Sequence, residues 1–250
     1  MRRFRGRWIV VALLVAAGLF FAVDIISLQH LESRGAAELA RTMAAEEAKL
    51  DLGGVPFLPG FITGHLRRGE VKVRGASGGG GLRIQSFTSR MESIGFSPRR
   101  LLSLSRSAFA TRTTVRAAEA FGLMEIGQDD LEEFIRQQIP LVGDVRVAAS
   151  GIEVRFLKKR LERGAQPSDE DLTEPARLLP RVADRRFVLT LVGSSGIPEP
   201  LQRAARRLEG LVKLPQIPEG LRTDVRLGDG VVVVEATGRD VSLDIGEGEG

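Results

Sequence analysis

The chain has 250 residues, with 36 Lys and Arg against 32 Asp and Glu, 43% hydrophobic residues and no cysteine. The missing cysteines exclude disulfides and thiol chemistry, so the fold must rest on a core of Leu, Val, Ile and Phe, for which the length is ample. The formal charge of +4 belongs to the N-terminus: Arg2, Arg3, Arg5 and Arg7 precede every acidic residue, leaving 32 basic against 32 acidic from Asp24 onward. A domain that binds nucleic acid normally carries a basic excess, so no nucleic-acid partner is expected.

The four arginines run into an unbroken apolar segment over residues 8–23. Basic residues beside such a segment stay in the cytoplasm, which places the bulk of the chain outside. The segment falls slightly short of the ~20 residues a spanning helix needs; continuing to Leu28 completes it and leaves Asp24 near the outer headgroups. A cleaved signal peptide would start the same way, but its best site, Ala16-Ala17-Gly18, would expose Leu19-Phe20-Phe21 as a new terminus. A retained anchor is therefore expected: basic stub and transmembrane anchor over 1–23, exported domain over 24–245, and a Gly- and Glu-rich tail over 246–250 that is disordered by composition.

Residues 27–49 show helical spacing in Leu28, Leu31, Leu39 and Met43, with Gly35 as a weak point. Residues 50–74 are apolar but punctuated, reading Val55-Pro56-Phe57-Leu58-Pro59-Gly60-Phe61-Ile62. Two prolines so close argue against a helix interior or a central strand, which leaves a buried loop or an apolar lip. Three hairpins follow: Val71 and Val73 turning through residues 77–81 into Leu82 and Ile84; Val145 and Val147 turning at Ser150-Gly151 into Ile152, Val154 and Phe156; and Val225 and Leu227 turning at Gly228-Asp229-Gly230 into residues 231–234. Val241, Leu243 and Ile245 suggest one more strand. Helices are expected over 128–138, with Leu131, Phe134 and Ile135 inward, and over 201–212, with Leu201, Ala204, Ala205, Leu208, Leu211 and Val212 on one face. Residues 158–186 read as a charged linker. Hairpins and helices without a βαβ rhythm define an α+β fold, its antiparallel sheet having one apolar and one wet face.

Catalytic signatures are missing from the sequence. The two histidines, His30 and His65, have no metal-ligand spacing around them. The glycine run over 78–81 lacks the Gly-Lys-Ser/Thr of a phosphate loop, and Gly193-Ser194-Ser195-Gly196 lacks the spacing of a nucleophile elbow. Asp129, Asp130, Glu132 and Glu133 suit a helix N-terminus. No enzyme, cofactor or metal is expected; a hydrolase would need carboxylates that meet only in three dimensions.

Taken together, Asp24 with its Ala/Glu-rich helix, Val55-Pro56-Phe57-Leu58, Gly64, Val71-x-Val73, Gly127-Gln128-Asp129-Asp130-Leu131 and Leu214-Pro215-Gln216-Ile217-Pro218 resemble the LmeA-like phospholipid-binding proteins of the actinobacterial envelope. The family pattern reads approximately Gly-Phe-Pro-Phe-Leu-Thr-Gln at the apolar loop, where this chain has Val55 before Pro56 and Pro59-Gly60 in place of Thr-Gln. The resemblance implies a fold similar to tubular lipid-binding proteins, a curved antiparallel sheet around a long helix with an apolar groove. It also implies phospholipid or another acyl lipid as partner, at the outer face of the plasma membrane, in support of envelope lipid or lipoglycan assembly. Lipid-binding candidates are Val55, Phe57, Leu58, Phe61 and Ile62 on the loop, and Leu201, Leu208 and Leu211 on the later helix. An envelope scaffold in which loop and helix bury one another is the alternative. The topology is checked by carbonate washing: the full-length chain should stay in the membrane pellet, and a mature form starting near Leu19 would overturn the anchor.

Overall fold

A computed structural model describes residues 3–54, 56–78, 81–98, 113–158, 169–183, 186–192 and 219–245. The helix expected over 201–212 and the tail over 246–250 lie outside them.

The expected anchor and the amphipathic segment after it form one helix, α1 (Arg3–Thr42). No proline interrupts these 40 residues and alanine is frequent, so local propensity favours continuity. Gly35 is no break: a Cβ there would overlap the Leu50 side chain, so glycine lets α1 press against the next element. That element corrects the sequence expectation. The helix ends at Thr42, Ala44 adopts φ 45°, and residues 47–51 form strand β1 (Glu47–Asp51) instead of a last helical turn. Glu47, Lys49 and Asp51 are exposed while Ala48 and Leu50 are half-buried, the period-two alternation of an edge strand. Among the described residues no helix is long and apolar enough to cross a membrane; the side chains of residues 8–17, most of the apolar run, are not among those described.

The apolar loop holds a second correction. Residues 57–63 form a short helix, α2 (Phe57–Thr63), despite Pro59. Proline breaks a helix where its N–H is needed, but in the first turn the N–H groups have no intrahelical acceptor. Pro56 stands at the N-cap and Pro59 at the third position, both within that tolerance.

The main sheet is six-stranded and antiparallel, in the order β1-β2-β3-β4-β10-β9. It comprises β2 (His65–Ser77), β3 (Arg83–Gly95), β4 (Thr113–Gly127), β9 (Glu219–Gly228) and β10 (Val231–Ile245) beside β1. The β2–β3 and β9–β10 hairpins match the sequence signals, with Ser77 opposite Arg83 and Gly228 opposite Val231. The strand expected separately at Val241, Leu243 and Ile245 is the continuation of β10. A second antiparallel sheet, β5-β6-β7-β8, contains β5 (Val142–Ala148), β6 (Gly151–Phe156), β7 (Ala176–Ala183) and β8 (Arg186–Val192). The segment read as a linker over 158–186 thus contains a 3₁₀ turn, Asp169–Asp171, and the whole of β7. Both sheets are open. The fold is α+β as expected, with its hairpins divided between two sheets.

The two sheets and α3 (Gln128–Gln138) enclose the main core, where Val73, Ile84, Met124, Ile126, Leu131, Phe134, Ile135, Val145, Ile152, Phe156 and Val232 form one buried cluster. The tip of the β9–β10 hairpin locks these parts together. Gly230 N–H donates to the Val147 carbonyl at 3.1 Å, the Gly230 carbonyl accepts from Gln128 N–H at 2.8 Å, and Gln128 Oε1 accepts from Val147 N–H at 3.0 Å.

The far end of the main sheet behaves differently. Ser93 on β3 and Asp240 on β10 both adopt left-handed φ, 50° and 52°. Glu92 and Arg239 both face Glu119, and Ile94 and Val241 both face Ala117, so the two irregular residues flank Ala118. Burial along β4 changes parity across that row, from Met124 and Ile126 to Ala117 and Val115. Because side chains alternate along a strand, the two ends of β4 bury opposite faces. Phe57, Ile94, Val115, Ala117 and Val241 are accordingly buried outside the main cluster.

Leu131 is fully buried where α3 meets the sheets. Leu131→Ala is expected to cost ~2–5 kcal/mol through transfer and cavity terms, read as a lowered urea midpoint with unchanged m-value.

Candidate functional site

The site grows from the N-terminus of α2. The first N–H groups of a helix lack intrahelical acceptors, and here a carboxylate from α1 supplies the acceptor. Asp24 Oδ2 accepts from Phe57 N–H at 2.8 Å and Oδ1 accepts from Leu58 N–H at 2.5 Å. Pro59 has no N–H to satisfy, so the first turn is complete. Farther along α1, Glu32 Oε1 accepts from Leu52 N–H at 2.8 Å, so two carboxylates of one helix hold both ends of the segment leading into α2. Asp24 is fully buried, its carboxylate turned to the protein instead of to solvent.

The other end of α2 is set by Gly64. Its φ of 77° is the left-handed value favoured by glycine. A Cβ at that position would also strike the Phe96 carbonyl. The Gly64 N–H donates to the Phe61 carbonyl at 3.2 Å and Phe96 N–H donates to the Gly64 carbonyl at 2.9 Å, tying the helix end to the chain beyond β3. Aromatic packing follows the same path, with ring centroids 5.4 Å apart for Phe57–Phe61 and 5.6 Å apart for Phe61–Phe96. Beside α2 lies a cavity of about 350 Å³ whose wall includes Pro56, Phe57, Gly60, His65, Leu66 and Arg67. That volume lies near the lower end of the ~300–1,000 Å³ typical of small-molecule sites.

The expected lipid-binding residues are distributed as follows. Phe57 is buried, so it forms the floor of the site instead of a free lip. Leu58 and Phe61 are half-buried on α2, and Ile62 points outward with 71% exposure. Val55, Leu201, Leu208 and Leu211 lie outside the described residues. Sequence reasoning missed Leu66 and Arg67, which the turn at Gly64 folds back beside α2, and Phe96, which the β2–β3 pairing brings there. It also missed the role of Asp24, although one carboxylate closing an apolar run was a signal in plain view.

A second concavity, an open groove of about 470 Å³, crosses the wet face of the main sheet past Arg90, Glu92, Glu119, Phe121, Arg222 and Arg239. Glu92 and Glu119 are opposite one another across β3 and β4, but Arg68 and Arg239 take the next positions in that row. Each carboxylate thus has an arginine on its other side, which offsets the like-charge contact between the two. In the adjacent row, buried Glu70 meets Arg68 and Lys72 at 2.8 Å each and Arg90 at 3.6 Å. The Lys72 ammonium, through its hydrogen bond and its charge, holds the Glu70 carboxyl below its ordinary range, with Arg90 and Arg68 adding to the effect. Among the described residues no group of three His, Cys, Asp or Glu side chains is placed to hold a metal ion.

An α+β domain of open antiparallel sheets, with a small apolar-floored cavity against a helix held by α1, has the features of a ligand-binding module. The chain belongs to the LmeA-like phospholipid-binding family, whose model matches residues 27–237. No curated protein and no solved structure shows significant similarity to it.

The lowered pKa of Glu70 has a signed consequence. A carboxyl whose folded pKa lies below its ordinary 4.5 contributes stability above that value and loses it as pH falls through the folded pKa. Urea midpoints measured from neutral pH downward should therefore fall less steeply below about pH 4.5 in Glu70→Gln than in the parent.

Proposed function

We propose that this protein binds phospholipid through its acyl chains at the outer face of the plasma membrane, without transforming it, in support of envelope lipid or lipoglycan assembly. Family membership over residues 27–237 carries this reading. The cavity beside α2 supports it chemically, since Phe57 and Leu66 offer apolar wall while His65 and Arg67 offer polar groups at its rim. Each methylene moved from water into such a site contributes about 0.8 kcal/mol. Ten would supply about 8 kcal/mol before the costs of ordering protein and lipid. The arginine cluster and apolar run ahead of Asp24 make α1 the tether, with the domain outside the cytoplasm.

A phospholipid carrying a diazirine in its acyl chain tests this on the full-length protein in vesicles. Cross-links are expected on the peptide containing Phe57, Phe61 and Leu66 as well as on α1. Leu66→Trp, which fills the cavity, should lower cavity labelling about tenfold, the equivalent of ~1.4 kcal/mol, and leave α1 labelling unchanged. Labelling confined to α1 would mean that the chain is anchored in lipid without binding it, as a scaffold would be.

A further inference from the structure

On α1, Leu19, Phe20, Phe21, Val23, Ile25 and Ile26 are between 44% and 65% exposed. At about 100° per residue, these six side chains, with exposed Ala22 filling the gap between Ile25 and Ile26, point to every side of the helix except the sector between Phe20 and Phe21. That sector holds Asp24, and α2 sits there. A protein partner covers a stripe of a helix, whereas an apolar surface on all remaining sides is the mark of a helix immersed in lipid. Depth follows from length. From Trp8 to Asp24 the helix rises about 24 Å, less than the ~30 Å of a hydrocarbon core, so Asp24 stands inside the outer edge of that core.

An ionised side chain at such depth is costly unless its partners accompany it. The partners of Asp24 are the backbone N–H groups of Phe57 and Leu58, which are the start of α2. Where Asp24 goes, α2 must go too. Ile62, the most exposed of the large hydrophobic side chains among the described residues, lies on this same short helix.

We propose that α2 is seated in the outer leaflet, at the boundary of acyl chains and headgroups, with Asp24 as the clasp that carries it there. Bilayer lipid is the occupant of the apolar surface formed by Ile62 and residues 19–26. The cavity beside α2 then opens where lipid already lies, and its ligand enters by lateral movement within the leaflet. This rests on the reading of α1 as a membrane anchor and of the cavity as a lipid site.

Having no cysteine, the chain accepts a single nitroxide without background. Ile62→Cys and, as control, Asp229→Cys at the exposed β9–β10 turn are labelled and reconstituted full-length into phosphatidylcholine–phosphatidylglycerol vesicles. Oxygen, which concentrates in hydrocarbon, should relax the label at 62 more than a water-soluble nickel chelate does, with the reverse order at 229. A label at 62 as accessible to nickel as the one at 229 would overturn the proposal, including the case in which a protein covers this surface. Adding Asp24→Ala should bring the label at 62 into water while a label at Leu19→Cys stays in lipid; a label at 62 that keeps its depth would remove Asp24 as the clasp. The two readings fail separately. Nickel access at 62 with persistent cavity cross-linking leaves lipid binding intact, and depth at 62 without cavity cross-linking leaves only the seat.

Discussion

The pair of hydrogen bonds from Phe57 and Leu58 N–H to the Asp24 carboxylate fixes how the long helix and the sheet meet. A seven-residue helix has little stability of its own, and α2 gains its end conditions from outside: Asp24 at its start and the Phe96 backbone at its close. Burial of the carboxylate is tolerable because both oxygens face donors that otherwise lack acceptors. The same contact turns Phe57 inward and Ile62 outward, so one interaction creates both the floor of the cavity and the apolar surface above it.

The main sheet accommodates this arrangement by changing the face it buries. Above the row of Ser93, Ala118 and Asp240, the sheet packs on α3 and on the second sheet; below it, Ile94, Val115, Ala117 and Val241 belong to a separate apolar region. Left-handed residues within paired strands cost energy and persist where surrounding pairing holds them. Here they let one sheet serve two purposes, a filled core that supplies stability and an end next to α2 where a cavity can exist. The cavity beside α2 lies at that end, and the wet face carries ion pairs such as those of Glu70 with Arg68 and Lys72 along β2 and with Arg90 across to β3.

Much of this was legible in the sequence wherever one element sufficed to produce the signal. The three hairpins showed in alternation and turn glycines, and α3 in the spacing of Leu131, Phe134 and Ile135. The misreadings arose where a distant partner decides. Residues 47–51 continue a helical composition but pair with β2, and their alternation is only five residues long. Strand β7 hides in a charged stretch because its pairing with β6 covers only Ala176, Arg177 and Leu178, and Pro180 falls beyond that contact. At the site, the apolar loop was recognised but not its helix, since the acceptor that completes its first turn lies 33 residues earlier.

The departure from the family pattern at Pro59-Gly60 bears on whether this loop can do what its relatives' loops do. In α2, Pro59 occupies a position whose N–H would have no intrahelical acceptor, and Asp24 already serves the two positions before it. A threonine there would bring an N–H in need of a third acceptor near a surface proposed to face lipid; proline removes the donor altogether and pre-sets φ for the helix. Gly60 answers a different constraint, because a Cβ at that position would collide with the His65 carbonyl at the start of β2. The substituted pair therefore keeps the helical turn and lets β2 approach it closely. What the sequence alone presents as the loss of a motif is, in three dimensions, a local solution that leaves the Asp24 clasp and the cavity wall in place.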